Sequence, residues 1–178
     1  ATAGRIVFGA GTSHELGSLL DELAPPQRSE TPAVLVVTGR DVTRVQPVLD
    51  SICEAGFEVC TFAVAGEPTI DLVQQGVEVA RQNECCTVVG IGGGSAIDVG
   101  KAIAVLAGNP GDVLDYLEVV GRGMALTEPG LPYVAVPTTA GTGAEVTRNA
   151  VIASPEHGVK ASLRSAHMLP RLAVVDPE

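Results

Sequence analysis

Apolar residues in this chain fall into short, nearly continuous runs, separated by segments in which they recur at three- and four-residue spacing. The runs are Arg5-Ile6-Val7-Phe8, Ala33 to Val37, Phe57 to Phe62, Thr87 to Ile91 and Tyr133 to Val136. Their length and β-branched content predict strands. The intervening segments carry helical stripes. Leu16, Leu19, Leu20 and Leu23 predict a helix capped by Thr12 or Ser13 and stopped by Pro25-Pro26. A second helix is expected from about Thr43, with Val45, Val48, Leu49 and Ile52 facing inward, and Gly56 ends it. Thr69 caps a third, through Leu72, Val73, Val77 and Ala80. A fourth runs from Ser95 through Ile97, Ala102, Ile103 and Leu106 to Gly108.

After Gly108 the rhythm changes. Residues 109–131 are rich in Gly and Pro and read as a loop with one helical piece near Asp112–Leu117. Short strands are expected around Val151 and Val174, with Lys160 between them. Strands alternating with helices predict an α/β fold, its sheet mainly parallel and covered by helices on both faces. Such sheets take ligands at the carboxyl ends of their strands. The residues after Ile91 therefore matter most, together with Thr38-Gly39-Arg40 and Pro137-Thr138-Thr139.

Composition narrows this picture. A chain of 178 residues suggests one domain, or one and a small appendage. It is 46% hydrophobic with mean hydropathy +0.31 but only 3% aromatic, so the core is aliphatic. No apolar run reaches the length of a membrane span. The opening Ala-Thr-Ala-Gly-Arg has no apolar h-region, and a cytoplasmic protein is expected. Net charge is 11 − 21 = −10, which argues against nucleic acid as a partner. A nucleotide cofactor remains compatible, because helix N-termini and a few local cations hold a diphosphate. Cys53, Cys60, Cys85 and Cys86 show neither metal spacing nor C-x-x-C and read as reduced core cysteines.

The candidate chemistry begins at Gly90-Ile91-Gly92-Gly93-Gly94-Ser95, where a β-branched run ends in glycines and a helix opens. The first N–H groups of that helix lack intrahelical partners and lie at the positive end of its dipole. Phosphate suits such a corner. A Walker loop would need Gly-Lys followed by Ser or Thr, and the G-x-G-x-x-G fingerprint fails at its third glycine. The cradle is of another kind.

Thr138, Thr139 and Thr142 surround Ala140-Gly141 at another strand end, and their hydroxyls can serve phosphate, ribose or carboxamide. The competing reading is an ordinary hydroxyl-rich turn. Lys160 is the only lysine besides Lys101 and is a candidate ribose or phosphate partner. Asp98 and Lys101, three apart on a helix, either pair with each other or leave Asp98 pointing into the cleft.

Taken together, Arg5 to Gly11, Gly92-Gly93-Gly94-Ser95 with Asp98 and Lys101, the stretch Pro137 to Glu145, and Pro170 through Asp176-Pro177-Glu178 resemble the iron-containing (group III) alcohol dehydrogenase family. Glycerol dehydrogenase and dehydroquinate synthase relatives share the glycine turn. The Thr-Thr-Ala-Gly-Thr loop is more similar to the alcohol dehydrogenase branch. The resemblance implies that residues 1–178 are a Rossmann-like N-terminal domain binding a nicotinamide dinucleotide. Gly93, Gly94 and Ser95 would hold the pyrophosphate, Thr138, Thr139 and Thr142 would line the cofactor, Asp98 would lie toward the nicotinamide, and Lys160 would reach the ribose. It implies hydride transfer between that cofactor and a small alcohol or aldehyde, with iron or zinc as Lewis acid in the complete enzyme. A homodimer is plausible.

Two departures stand out. Many NAD-using relatives carry Asp where this chain has Gly39, and Arg40 follows; the expectation is NADP(H) in preference to NAD(H). Glu67-Pro68-Thr69 stands where relatives often have Asn before Pro. The family's metal ligands, one Asp and three His, belong to a helical C-terminal domain that has no counterpart here, and His14, His157 and His167 match none of them. The polypeptide alone is therefore expected to bind cofactor weakly and not to turn over. The rival readings are a non-catalytic dinucleotide- or phosphate-binding module and a fragment of a glycerol dehydrogenase or dehydroquinate synthase relative.

Overall fold

The computed structural model describes residues 2–23 and 31–178. Its centre is a six-stranded sheet in the order β1-β8-β5-β4-β2-β3, with every adjacent pair parallel. The strands are β1 (Arg5–Phe8), β2 (Ala33–Gly39), β3 (Glu58–Val64), β4 (Thr87–Gly92), β5 (Tyr133–Pro137) and β8 (Leu172–Val175). The helices are α1 (Leu16–Leu23), α2 (Gln46–Glu54), α3 (Ile70–Gln82), α4 (Gly94–Ala107) and the single turn α5 (Val113–Tyr116).

Alternation along the strands splits the interior into two cores. Val34, Val36, Val89, Ile91, Val134 and Val136 pack with Leu16, Leu20, Val48 and Ile52 of α1 and α2. Leu35, Val37, Val88, Tyr133 and Ala135 face the other way, onto Val73 and Val77 of α3 and Ile97 and Ile103 of α4. Helices thus cover both faces, as the aliphatic runs predict. From β2 the chain passes to β3 at the edge, then returns across β2 to β4. The winding direction reverses between β2 and β4, and the carboxyl ends of those strands flank the resulting crevice.

Several local expectations change. Neither Thr12 nor Ser13 caps the first helix. A 3-10 turn, Thr12–Glu15, precedes α1, and the Asp176 carboxylate accepts from the Gly11 amide (3.1 Å) and the Ser13 amide (2.9 Å). Pro25-Pro26, expected to stop α1, lie outside the described residues. The second helix also opens as a 3-10 turn, Val42–Val45, capped by Asp41, whose Oδ1 accepts from the Thr43 amide at 3.1 Å. Thr69 caps α3 as expected, accepting from the Leu72 amide at 3.2 Å. The region around Val151 and Lys160 forms an antiparallel hairpin, β6 (Asn149–Ser154) and β7 (Val159–Arg164), outside the main sheet. Lys160 lies within β7 opposite Ala153. The four cysteines are free, but only Cys85 is fully buried and Cys53 is exposed. Burial and the adjacent Cys60 push the Cys85 thiol up to about 12.

Candidate functional site

Three strand ends converge at the crevice. Thr38 of β2 is level with Ile91 of β4, and Gly92 is level with Pro137 of β5. The Thr138 amide donates to the Gly92 carbonyl at 2.9 Å, carrying the pairing one residue past β5. Gly92 has φ +152°, and a Cβ there would lie 2.9 Å from the Ala96 Cβ. A side chain at this corner would collide with the first turn of α4, so the turn requires glycine.

Gly93 is the N-cap of α4, and no side chain caps the helix. Ser95, expected to open it, instead sits in its first turn. The amides of Gly94, Ser95 and Ala96 precede the first intrahelical bond, which runs from the Ile97 amide to the Gly93 carbonyl at 3.1 Å. The hydroxyl loop lies directly over this turn. A Cβ at Gly93 would be 3.2 Å from Thr139 Oγ1, and one at Gly94 would be 3.6 Å from Thr142 Cγ2. Thr138, Thr139 and Thr142 are all exposed. Unpaired amides, a helix dipole and the Thr139 hydroxyl, with the Thr142 methyl beside it, thus share one open corner, a donor set that fits a diphosphate and that added side chains would fill.

Gly90 belongs to a different arrangement. A Cβ there would meet the Tyr133 hydroxyl oxygen at 2.1 Å, so this glycine makes room for a buried ring. The Tyr133 hydroxyl donates to the Ile97 carbonyl at 2.9 Å, and burial raises its pKa well above the ordinary value.

Beside the corner lies a cleft of about 180 Å³ lined by Glu67, Pro68, Ser95, Asp98, Val151, Ala153 and Lys160. It unites three of the sequence candidates, Ser95, Asp98 and Lys160, and adds Glu67. Lys160 Nζ pairs with Glu67 Oε1 at 2.5 Å across the exposed lip. Asp98 takes both roles open to it in the sequence. Its Oδ1 lies 3.4 Å from Lys101 Nζ, its Oδ2 accepts from the Val151 amide at 3.1 Å, and the residue still lines the cleft. On the β2 side of the corner, Gly39 N lies 3.5 Å from a Cβ built on Gly92; nothing lies within 4 Å of a Cβ built on Gly39 itself, and Arg40 beyond it is exposed.

Among the described residues no group of three His, Cys, Asp or Glu is gathered to hold a metal ion. His14 and His167 are exposed, and His157 Nδ1 lies 2.8 Å from Ser154 Oγ in the tip of the hairpin. The described residues do not fit a catalytic metal. No helix among them is long and apolar enough to cross a membrane.

Known proteins share this fold. A family model described as iron-containing alcohol dehydrogenase matches residues 3–177. The NAD-dependent methanol dehydrogenase of Bacillus methanolicus is 38% identical over 174 residues, which cover 97% of this chain and 44% of that protein. A 1,3-propanediol oxidoreductase crystal structure superposes with TM-score 0.87 at 33% identity, covering 99% of this chain and 44% of the other. A sulfoacetaldehyde reductase from Bifidobacterium kashiwanohense, in complex with NAD+, gives TM-score 0.85 at 31% identity, covering 99% and 45%. The chain therefore spans less than half the length of each of these three.

Proposed function

The chain belongs to the iron-containing alcohol dehydrogenase family, and on that premise we propose that residues 1–178 are the dinucleotide-binding domain of an NAD(P)-dependent alcohol dehydrogenase or aldehyde reductase. The observation that carries this reading is the open first turn of α4 beneath Thr139 and Thr142, at the crevice between β2 and β4. The amides of Gly94, Ser95 and Ala96 bind the pyrophosphate, with the helix dipole favouring its charge. Thr138, Thr139 and Thr142 donate to the cofactor's polar edge. Asp98 accepts hydrogen bonds toward the nicotinamide end. Lys160 reaches a ribose hydroxyl, because an ammonium paired with one carboxylate retains two further donors. The coenzyme supplies or takes up the hydride when bound; these residues hold it still.

The preference is for NADP(H). Gly39 leaves open space where a carboxylate would repel a 2′-phosphate, and Arg40 supplies a cation beside it. An iron or zinc ion polarising the substrate oxygen belongs, on this reading, to the rest of the enzyme. The small alcohol or aldehyde lies there too, so this stretch alone binds cofactor weakly and does not turn over. A cytoplasmic location and a homodimer complete the proposal.

Fluorescence titration of the 178-residue chain with NADH and NADPH tests it. Both should bind, NADPH more tightly. Gly94→Ala keeps the amide but sets a methyl in the path of the phosphate, and should weaken both by about tenfold, the scale of one charge-assisted hydrogen bond held off its proper length, with the thermal midpoint unchanged. Tighter NADH binding refutes the NADP preference. Failure of both coenzymes to bind refutes the function.

A further inference from the structure

Lys101 is the largest fully buried side chain among the described residues. A lysine is almost never enclosed completely unless it is paired. Its ammonium donates to three acceptors, two of them at the start of β6 and one on its own helix: Asn149 O at 2.8 Å, Thr147 Oγ1 at 3.1 Å and Asp98 Oδ1 at 3.4 Å. Burial lowers its pKa, and the charges of Asp98 and Glu145 oppose that shift. Glu145 Oε2 is itself buried with no hydrogen-bond partner. One enclosed cation thus stands among two carboxylates at the back of the cleft. The cation ties residues 147–149 to α4, and removing it alone would leave two carboxylates without a counter-charge.

What the cation adds is control of Asp98. The terminal torsion of an aspartate is broad, so an untethered carboxylate swivels. Here each oxygen has a partner, Lys101 Nζ for Oδ1 and the Val151 amide for Oδ2. Those two bonds set the plane of the carboxylate. The Asp98 side chain keeps 17% of its surface exposed and lines the cleft, and each oxygen retains lone-pair capacity for another donor. Lys101 also grips Thr147 and Asn149, which fixes where β6 begins and hence where Val151 stands.

We propose that Lys101 is a positioning residue for coenzyme binding: it locks the Asp98 carboxylate in the orientation that accepts a hydroxyl or amide donor of the dinucleotide. The proposal rests on the dinucleotide reading above. It assigns Lys101 no contact with the ligand; its effect passes through Asp98.

A double-mutant cycle on NADH affinity, read by coenzyme fluorescence on the 178-residue chain, separates this role from a structural one. Lys101→Met should weaken NADH binding by about tenfold when Asp98 is present, the scale of one misdirected charge-assisted bond. In an Asp98→Ala background, which leaves no acceptor for either the ammonium or the dinucleotide, the same change should alter affinity by less than about twofold. Thermal midpoints are recorded for all four proteins, because a general loss of stability would lower affinity equally in both backgrounds. Equal losses in the two backgrounds, or no loss in either, overturn the proposal. If Lys101→Met does not fold, Thr147→Val takes its place. It removes one partner of the ammonium and should give a smaller loss that again vanishes with Asp98→Ala; an equal loss in both backgrounds overturns the proposal here too. Wild-type chain that binds no NADH ends the dinucleotide reading and this proposal with it, whereas wild-type binding with additive mutants ends only the latter.

Discussion

Asp176 caps a turn 163 residues earlier in the chain. Its hydrogen bonds from the Ser13 hydroxyl and amide, and from the Glu178 and Gly11 amides, hold its carboxyl well below the usual carboxylate range. The folded pKa is depressed, so this stabilisation is complete above the unfolded pKa of about 3.9 and is lost as pH falls through the folded value. Asp176→Ala should lower the thermal midpoint by about 2–4 °C at pH 7, the scale of one lost cap. The gap between variant and wild type should begin to close below about pH 4. A gap that stays constant into strong acid contradicts the assignment. Residues whose role depends on backbone alone were readable beforehand: Gly93 and Gly94 occupy the strand-to-helix corner that their spacing suggests. Asp176 and Glu67 were not, because their partners lie far away in sequence. Spacing alone makes Lys101 a neighbour of Asp98; the fold makes it the enclosed tie between α4 and residues 147–149.

Elements followed their hydrophobic period wherever a single face is buried. The six strands and four long helices lie where alternation and helical stripes put them, within a few residues. Errors cluster at helix starts, where tertiary contacts choose the cap. The hairpin of β6 and β7 shows the other kind of miss. Its residues bury one face against α4 and expose the other over short strands, so the alternation that places a strand around Val151 does not reveal that Lys160 lies in its antiparallel partner. Gly90 and Gly100 show an element-level cause that no local pattern reveals. A Cβ at Gly100 would lie 2.9 Å from Tyr133 Cε2, so both glycines admit one ring between β4 and α4. Gly90→Ala should therefore destabilise by about 1–3 kcal/mol through overpacking, measured by urea unfolding. Tyr133→Phe removes the atom it strikes at a cost of about 1 kcal/mol for the lost hydrogen bond. The double variant should be more stable than the sum of the two predicts, and strict additivity refutes the steric account.

On the scale of the molecule, strand order creates the crevice and leaves an edge. β1 lies at that edge, with Ile6 51% and Phe8 73% exposed. An edge strand with exposed apolar side chains is a template for association, and the homodimer proposal places its contact there. Phe8→Asp should convert a dimer in sedimentation experiments to a monomer without lowering the thermal midpoint appreciably. A wild-type chain that stays monomeric at high concentration removes the dimer from the proposal. By itself the sequence determined the α/β class, the parallel pairing and the corner at Gly92 to Ser95, because periodicity and glycine act over a few residues. Only the tertiary structure decided that β4 stands between β2 and β5. Strand order is a choice among long-range pairings of similar local cost. That choice sets Thr139 over Gly93, Glu67 against Lys160, and Asp98 between Lys101 and Val151.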